Sequence, residues 1–269
     1  PGSNQARDTR DNVGVQYGLS ALAAGKITAE EFVTLNEAIG GIDRDSTPRA
    51  QRSTADPEAL EIAYRSGIVA SGANLSNAAI LDLRGWDDSL INLPPGTVAP
   101  PSPFSPVFGI HHQWFSFAIR DRIERDARDR TTQAMWRFAR GGMIPSASLA
   151  SEALTVMDGW LNAVAADHRD LIRPQKVRAN RPDSSHDFCI LSSDTTQSTR
   201  VFDQAICDAD PFLKPAASPR QVAGGPRTED VLKCQLKPLS QSDYQAGTFT
   251  PTQFARLQAV FPGGVCDWS

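Results

Sequence analysis

The chain has 269 residues, a net charge of −4, and hydrophobic and charged fractions of 40% and 22%, the proportions of an ordinary globular protein. That balance offers no cationic surplus for nucleic acid or an anionic membrane, and no apolar run approaches the roughly 20 residues that span a bilayer. The 19 prolines and 19 glycines imply many loops but no repeat.

Residues 1–11 read as a flexible leader. They carry neither a start methionine nor the apolar stretch of a signal peptide, so the chain reads as beginning partway through a longer precursor. In VGVQYGLSALAAGKI, the apolar Val13, Leu19, Leu22 and Ala23 predict a helix that ends at Gly25 as its glycine cap. In TAEEFVTLNEAIGG, Thr28 and Glu31 have the spacing of a capping box. Phe32, Leu35 and Ile39 repeat on one helical face, and Gly40-Gly41 ends the run. After a polar loop from Asp43 to Thr54, DPEALEIAYRSG predicts a third helix with Asp56 as N-cap, Pro57 at the first helical position and Gly67 as terminator.

NAAILDLRG is the best strand in the sequence, a short apolar run bounded by turn formers, as expected for a strand buried on both faces. The proline-rich stretch from Pro94 to Pro106 is too poor in amide donors for a central strand. An amphipathic helix follows His112, with Trp114, Phe117, Ile119 and Ile123 set among Arg120, Asp121, Arg122 and Glu124. A second strand is suggested at AMWRFAR. A long amphipathic helix is predicted for SLASEALTVMDGWLNAVAADH, with Leu149, Leu154, Met157, Trp160, Leu161 and Val164 as its apolar residues. From Asp170 onward the chain reads as mostly irregular, apart from a short helix at TPTQFARLQAV capped by Thr250.

All four cysteines, Cys189, Cys207, Cys234 and Cys266, fall in that loop-rich final third, where cross-links contribute most. The sequential pairing, Cys189 with Cys207 and Cys234 with Cys266, staples each loop locally and is the one expected of the three possible. No CxxC pair points to zinc.

The class is therefore α/β, but one or two strands are too few for an independent doubly wound sheet. The chain reads as the C-terminal part of an α/β domain. Its expected divisions are a leader at 1–11, a helical cap or lid at 12–67, the sheet-bearing core at 68–169 and a disulfide-bonded tail at 170–269.

Catalytic chemistry is suggested at two places. In LDLRGWDD, a strand runs into Gly85, with Asp87 and Asp88 just beyond; in GIHHQWFSF, His111 and His112 open a helix. A serine hydroxyl becomes a useful nucleophile only when an imidazole takes its proton, and a carboxylate fixes that imidazole's tautomer. In α/β-hydrolases the triad follows the order nucleophile, acid, histidine. Asp88 is assigned as the acid, with Asp87 its neighbour and competitor; Asp82 lies within the strand itself. His111 is assigned as the base with His112 as fallback, because adjacent side chains on an extended segment point opposite ways. A metal site built on the histidine pair lacks the i, i+4 spacing of HExxH. His168 and His186 stand alone in polar loops and read as surface residues. The nucleophile is missing: no GxSxG elbow exists, and Ser20, Ser71 and Ser76 lack the strand-turn-helix setting of one.

The segments NVGVQYGLSALAAGKITAEEFVTLNEAIGG, ADPEALEIAYRSG, ILDLRGWDD, IHHQWFSFAIRDRI, VAGGPRTEDVLKCQLKPL and RLQAVFPGGVCDWS together resemble the C-terminal half of a large exported bacterial α/β-hydrolase family of unknown function. That family is distantly similar to tannases and feruloyl esterases, and the resemblance runs from about Asn12 to Ser269. It implies an α/β-hydrolase fold and a serine hydrolase, secreted or periplasmic, that cleaves an ester through an acyl-enzyme without cofactor or metal. Asp88 and His111 fall where acid and base belong, and the nucleophilic serine is expected on an upstream segment of the same precursor. Tannases and feruloyl esterases clamp the triad with a cysteine beside the histidine; here Ile110 holds that position, so their specificity does not carry over. A different reading makes the chain a non-catalytic binding or structural subunit with a disulfide-tied interaction tail.

Overall fold

The computed structural model describes residues 7–85, 113–138, 145–211 and 213–268. In chain order, α1 (Leu19–Ala23), α2 (Ala29–Ala38), the two-residue strands β1 (Gly41–Ile42) and β2 (Pro48–Arg49), and α3 (Pro57–Arg65) come first. Then follow α4 (Gly72–Leu75), β3 (Ile80–Gly85), α5 (Trp114–Ala127), β4 (Gln133–Phe138), α6 (Ala147–Ala166), α7 (Arg173–Ala179), β5 (Phe188–Ile190) and α8 (Gln204–Ala209). The last elements are α9 (Pro219–Val222), β6 (Gln235–Lys237), α10 (Pro251–Val260) and β7 (Val265–Asp267). They group into two compact units, one of residues 71–216 and the other of 1–70 with 217–269.

The unit of residues 71–216 is built on a parallel three-stranded sheet in the order β3-β4-β5. The expected strands at ILDLRG and AMWRF both form, but among the described residues β4 is the central one and every residue of it is buried, whereas β3 lies at the edge and Ile80–Arg84 are only half-buried. The third strand, Phe188–Ile190, and α7 fall in the stretch read as irregular. Three residues are too few for a periodic signal, and β5 is secured by the Cys189–Cys207 disulfide to α8 and by paired backbone hydrogen bonds with Val201.

Alternation along the strands gives the sheet two unlike faces. Trp136 and Phe138 of β4, Phe188 and Ile190 of β5, and Leu81 and Leu83 of β3 pack on one face against Leu149, Ala153 and Val156 of α6. α6 starts at Ser146, whose Oγ accepts from the Leu149 amide; Leu154 and Leu161, on its outer side, are exposed. The opposite face carries Asp82, Arg84, Gln133 and Arg137, which turn towards α5 and α8.

In the other unit, α2 packs on α10 around Phe32, Val33, Leu257, Phe261 and Val265. The Thr28–Glu31 capping box forms in both directions, as does that of Thr250 with Gln253, and Asp56 caps α3 through the Glu58 and Ala59 amides. The buried face of α2 is Phe32, Val33 and Asn36, so Leu35 and Ile39 sit at its margin rather than in the core. The helix expected from Val13 is confined to Leu19–Ala23. Upstream of it, Gly14 has φ 81° and its carbonyl accepts from the Cys266 amide of β7. A Cβ at Gly14 would lie 2.4 Å from Leu236 Cδ2 and 3.0 Å from that amide nitrogen, so the chain runs flat against the β6–β7 ladder. Cys234 and Cys266 form the second disulfide, and both bridges have the sequential connectivity expected.

Candidate active site

The strands β3, β4 and β5 end together, with Gly85 opposite Phe138 and Phe138 opposite Ile190. Open parallel sheets bind their ligands outside this carboxyl edge. α5 begins at the same edge, where the Arg84 Nε donates to Ser116 Oγ at 3.0 Å, and runs back to the opposite edge, where the Arg120 Nε donates to Gln133 Oε1 at 3.3 Å. The connection between Gly85 and Gln113 is thus rooted at the carboxyl edge at both ends. It carries Asp87, Asp88, His111 and His112, all four of which lie outside the described residues.

The polar face of the sheet is a connected network. Gln133 Nε2 donates to the Ser116 carbonyl at 3.3 Å and to Asp82 Oδ2 at 3.5 Å, and Asp82 also faces the Arg84 guanidinium at 3.6 Å. Arg120 clasps Asp187 with both Nη atoms, and the same carboxylate accepts from the Met135 amide of the central strand at 2.9 Å. Arg137 is buried to 1% exposure of its side chain; it donates to Asp208 at 2.8 Å, to Gln204 at 2.8 Å and to the Leu213 carbonyl, with Phe117 lying under its guanidinium. Asp82, the third acid of the LDLRGWDD segment, is engaged here as part of the frame.

The remaining sequence candidates have structural partners. Ser71 caps α4 through the Asn74 amide, Ser76 is buried and donates to the Ala73 carbonyl, and Ser20 is exposed on α1, so none is a nucleophile elbow. His168 and His186 are exposed, as their polar surroundings in the sequence suggest. One carboxylate at the carboxyl edge was not singled out by the sequence. Asp194, on the loop after β5, accepts from the Thr196 hydroxyl and from the amides of Thr199, Ser198 and Thr196. These bonds hold its carboxyl well below the usual range, the Thr196 hydroxyl contributing most. With its oxygens committed to its own loop, Asp194 builds the edge. Its only sequence signal is the Asp-Thr-Thr-Gln-Ser-Thr run of turn formers. The same loop is tied down at Gln197, whose Oε1 accepts from the Ser146 amide, and at Ser192, which donates to Asp210 through amide and hydroxyl.

No helix among the described residues is long and apolar enough to cross a membrane. Comparison with curated proteins and with solved structures gives no match. A family model described as "Tannase-like family of unknown function (DUF6351)" matches residues 1–269.

Proposed function

Because the chain belongs to the tannase-like family of unknown function, we propose that it is part of an exported serine hydrolase that cleaves carboxylic esters. One observation carries the reading: the connection that bears the candidate acid and histidine is rooted at the carboxyl edge of the parallel sheet at both its ends. Gly85 ends the strand, Asp88 follows as the acid and His111 as the base, with Asp87 and His112 as their immediate alternatives. An upstream segment of the precursor supplies the serine and the oxyanion hole. His111 takes the serine proton as the hydroxyl attacks the ester carbonyl, and returns it to the leaving alcohol as the acyl-enzyme forms. Water, activated by the same imidazole, then releases the acid. Asp88 holds the ring in the tautomer that accepts at the nitrogen facing the serine. No cofactor enters this scheme, and two disulfides suit an oxidising compartment outside the cytosol.

The test is hydrolysis of p-nitrophenyl esters by the precursor with its upstream segment. His111→Ala, or failing that His112→Ala, is expected to lower kcat by about 10³-fold or more, and Asp88→Asn by about 10³- to 10⁴-fold. A fluorophosphonate is expected to label the precursor and not this chain alone. Full turnover in all three variants overturns the assignment. Absence of both hydrolysis and labelling in a folded precursor favours a binding subunit.

A further inference from the structure

The unit formed by residues 1–70 and 217–269 contains a cavity of about 620 Å³ that the ester-cleaving scheme does not use. Its volume is that of a small-molecule site, and its wall combines apolar surface with a few fixed polar groups, the composition such sites have. Ile39, Ile42, Val231 and Leu232 supply the apolar part. The turn that brings Ile39 and Ile42 to the wall depends on Gly40, at φ 54°, where a Cβ would meet the Arg49 carbonyl at 2.1 Å. Asn12 braces the same turn, its Nδ2 donating to the Gly40 carbonyl at 2.9 Å while its Oδ1 accepts from the Ser53 amide at 2.7 Å.

Two polar groups on this wall have unspent donor capacity. Arg220 is fixed by donating to the backbone carbonyls of Asp11 at 3.0 Å and Leu232 at 3.1 Å, with its guanidinium stacked over Trp268 at 5.3 Å. Those two carbonyls are its hydrogen-bond partners, and no carboxylate among the described residues pairs with it. The other charged groups of the wall have partners: Arg10 is clamped by Asp8, Asp11 pairs with Lys233 at 3.2 Å, and Glu229 accepts from the Ser218 hydroxyl. Tyr17 accepts weakly from Asn12 Nδ2 at 3.4 Å, and its hydroxyl proton goes to no acceptor among the described residues. A half-buried guanidinium with no counter-ion, on the wall of the same cavity as a phenol with a proton to give, presents donors that an anionic oxygen pair satisfies.

We propose that this cavity binds a small carboxylic acid with an apolar body. The carboxylate sits on Arg220 and Tyr17, and the body lies against Ile39, Ile42, Val231 and Leu232. The site is independent of the triad assignment and is tested without reference to ester hydrolysis.

The experiment is titration calorimetry of the whole chain with benzoate as probe and benzamide as its neutral counterpart. Benzoate is expected to bind at least about tenfold more tightly than benzamide, since only the anion meets the unpaired guanidinium. Arg220→Gln should weaken benzoate about 10- to 100-fold and Tyr17→Phe about 3- to 10-fold, with little effect of either on benzamide. Ile42→Trp, which fills the cavity, should abolish binding of both. No heat with benzoate, or equal benzoate affinity in the parent and Ile42→Trp, overturns the site. Loss in Ile42→Trp with unchanged affinity in Tyr17→Phe and Arg220→Gln, or equal affinity for benzoate and benzamide, overturns the carboxylate assignment. Should Arg220→Gln fail to fold, Tyr17→Phe and the benzoate-to-benzamide ratio decide the matter.

Discussion

Replacing Asp187 tests whether the polar face of the sheet holds α5 in place. Its carboxylate accepts from both Nη atoms of Arg120 and from the Met135 amide, and lies 3.7 Å from Arg181 Nη2. The Arg120 side chain is only 8% exposed, and burial already lowers the pKa of Arg181, with Asp187 as the countercharge opposing that shift. Asp187→Ala leaves two guanidinium groups facing each other and an amide of the central strand without its acceptor. Breaking a buried pair from one side costs about 3–5 kcal/mol, and an orphaned amide about 1–3 kcal/mol. The two losses share one site and do not add fully, so the total is set at about 4 kcal/mol. With an m-value of about 2 kcal/mol/M, that moves the urea midpoint down by about 2 M. Asp187→Asn keeps an acceptor for Met135 but loses the charge, and is expected to cost about half as much. Far-UV circular dichroism in urea reads both variants. An Asp187→Ala midpoint within about 0.5 M of the parent, at unchanged m-value, would refute the claim that this face is stabilised by its matched ions.

Acid sensitivity should trace to carboxylates held in loops. Asp194 is depressed by the Thr196 hydroxyl first and then the Thr199 and Ser198 amides, and Asp167 chiefly by Arg169 and then Asn180. Since their folded pKa values lie below the ordinary 3.8, the stability they add is complete above that pH and is lost as pH falls further. Thermal melts from pH 6 to 2 should therefore decline from about pH 4 downward, and less steeply in Asp194→Asn. Double serine replacement of Cys189 and Cys207, 18 residues apart, should cost about 3 kcal/mol in denaturant, and of Cys234 and Cys266, 32 apart, about 4 kcal/mol. A larger loss from the shorter loop would speak against a loop-entropy origin. Trp136→Ala, at a fully buried site in the central strand, should cost about 3–5 kcal/mol, against less than about 0.5 kcal/mol for Leu154→Ala at 74% exposure.

Much of the architecture is legible in the sequence because local rules dictate it. Thr28 with Glu31, Asp56 with Pro57, and Thr250 cap helices wherever they meet an amphipathic run, and each does so here. The cysteine pairing is readable because short loops close most readily. What local rules miss is set by distant partners. Val13–Gly18 has a helical scatter of apolar residues, yet Gly14 lies against a strand more than 200 residues away, and that ladder overrides propensity. β5 is a strand because Trp136 and Phe138 offer it an edge, a fact that three residues cannot announce. The cavity at Arg220 and Tyr17 was likewise hidden. It joins side chains from both ends of the sequence, and neither residue belongs to a catalytic or ligand-binding motif. Of the proposed triad, the sequence suggests the segment that carries acid and base, and the fold adds the strand end and the helix start that flank it.

The frame constrains the chemistry through register. Asp82 and Arg84 on β3 face the α5 side, opposite Met135 and Arg137 of β4, while Leu81 and Leu83 face α6. A slip of one residue would drive both charges into the apolar layer of Trp136, Phe138 and Phe188 and cost them the partners they have on the α5 side. The buried polar face therefore fixes the level at which Gly85 leaves the sheet. The Arg84–Ser116 hydrogen bond fixes the first turn of α5 to that same level. The two ends of the connection proposed to carry acid and histidine are set by residues outside the reaction. In the proposed scheme a short section of strand and the first turn of a helix thus do the positioning.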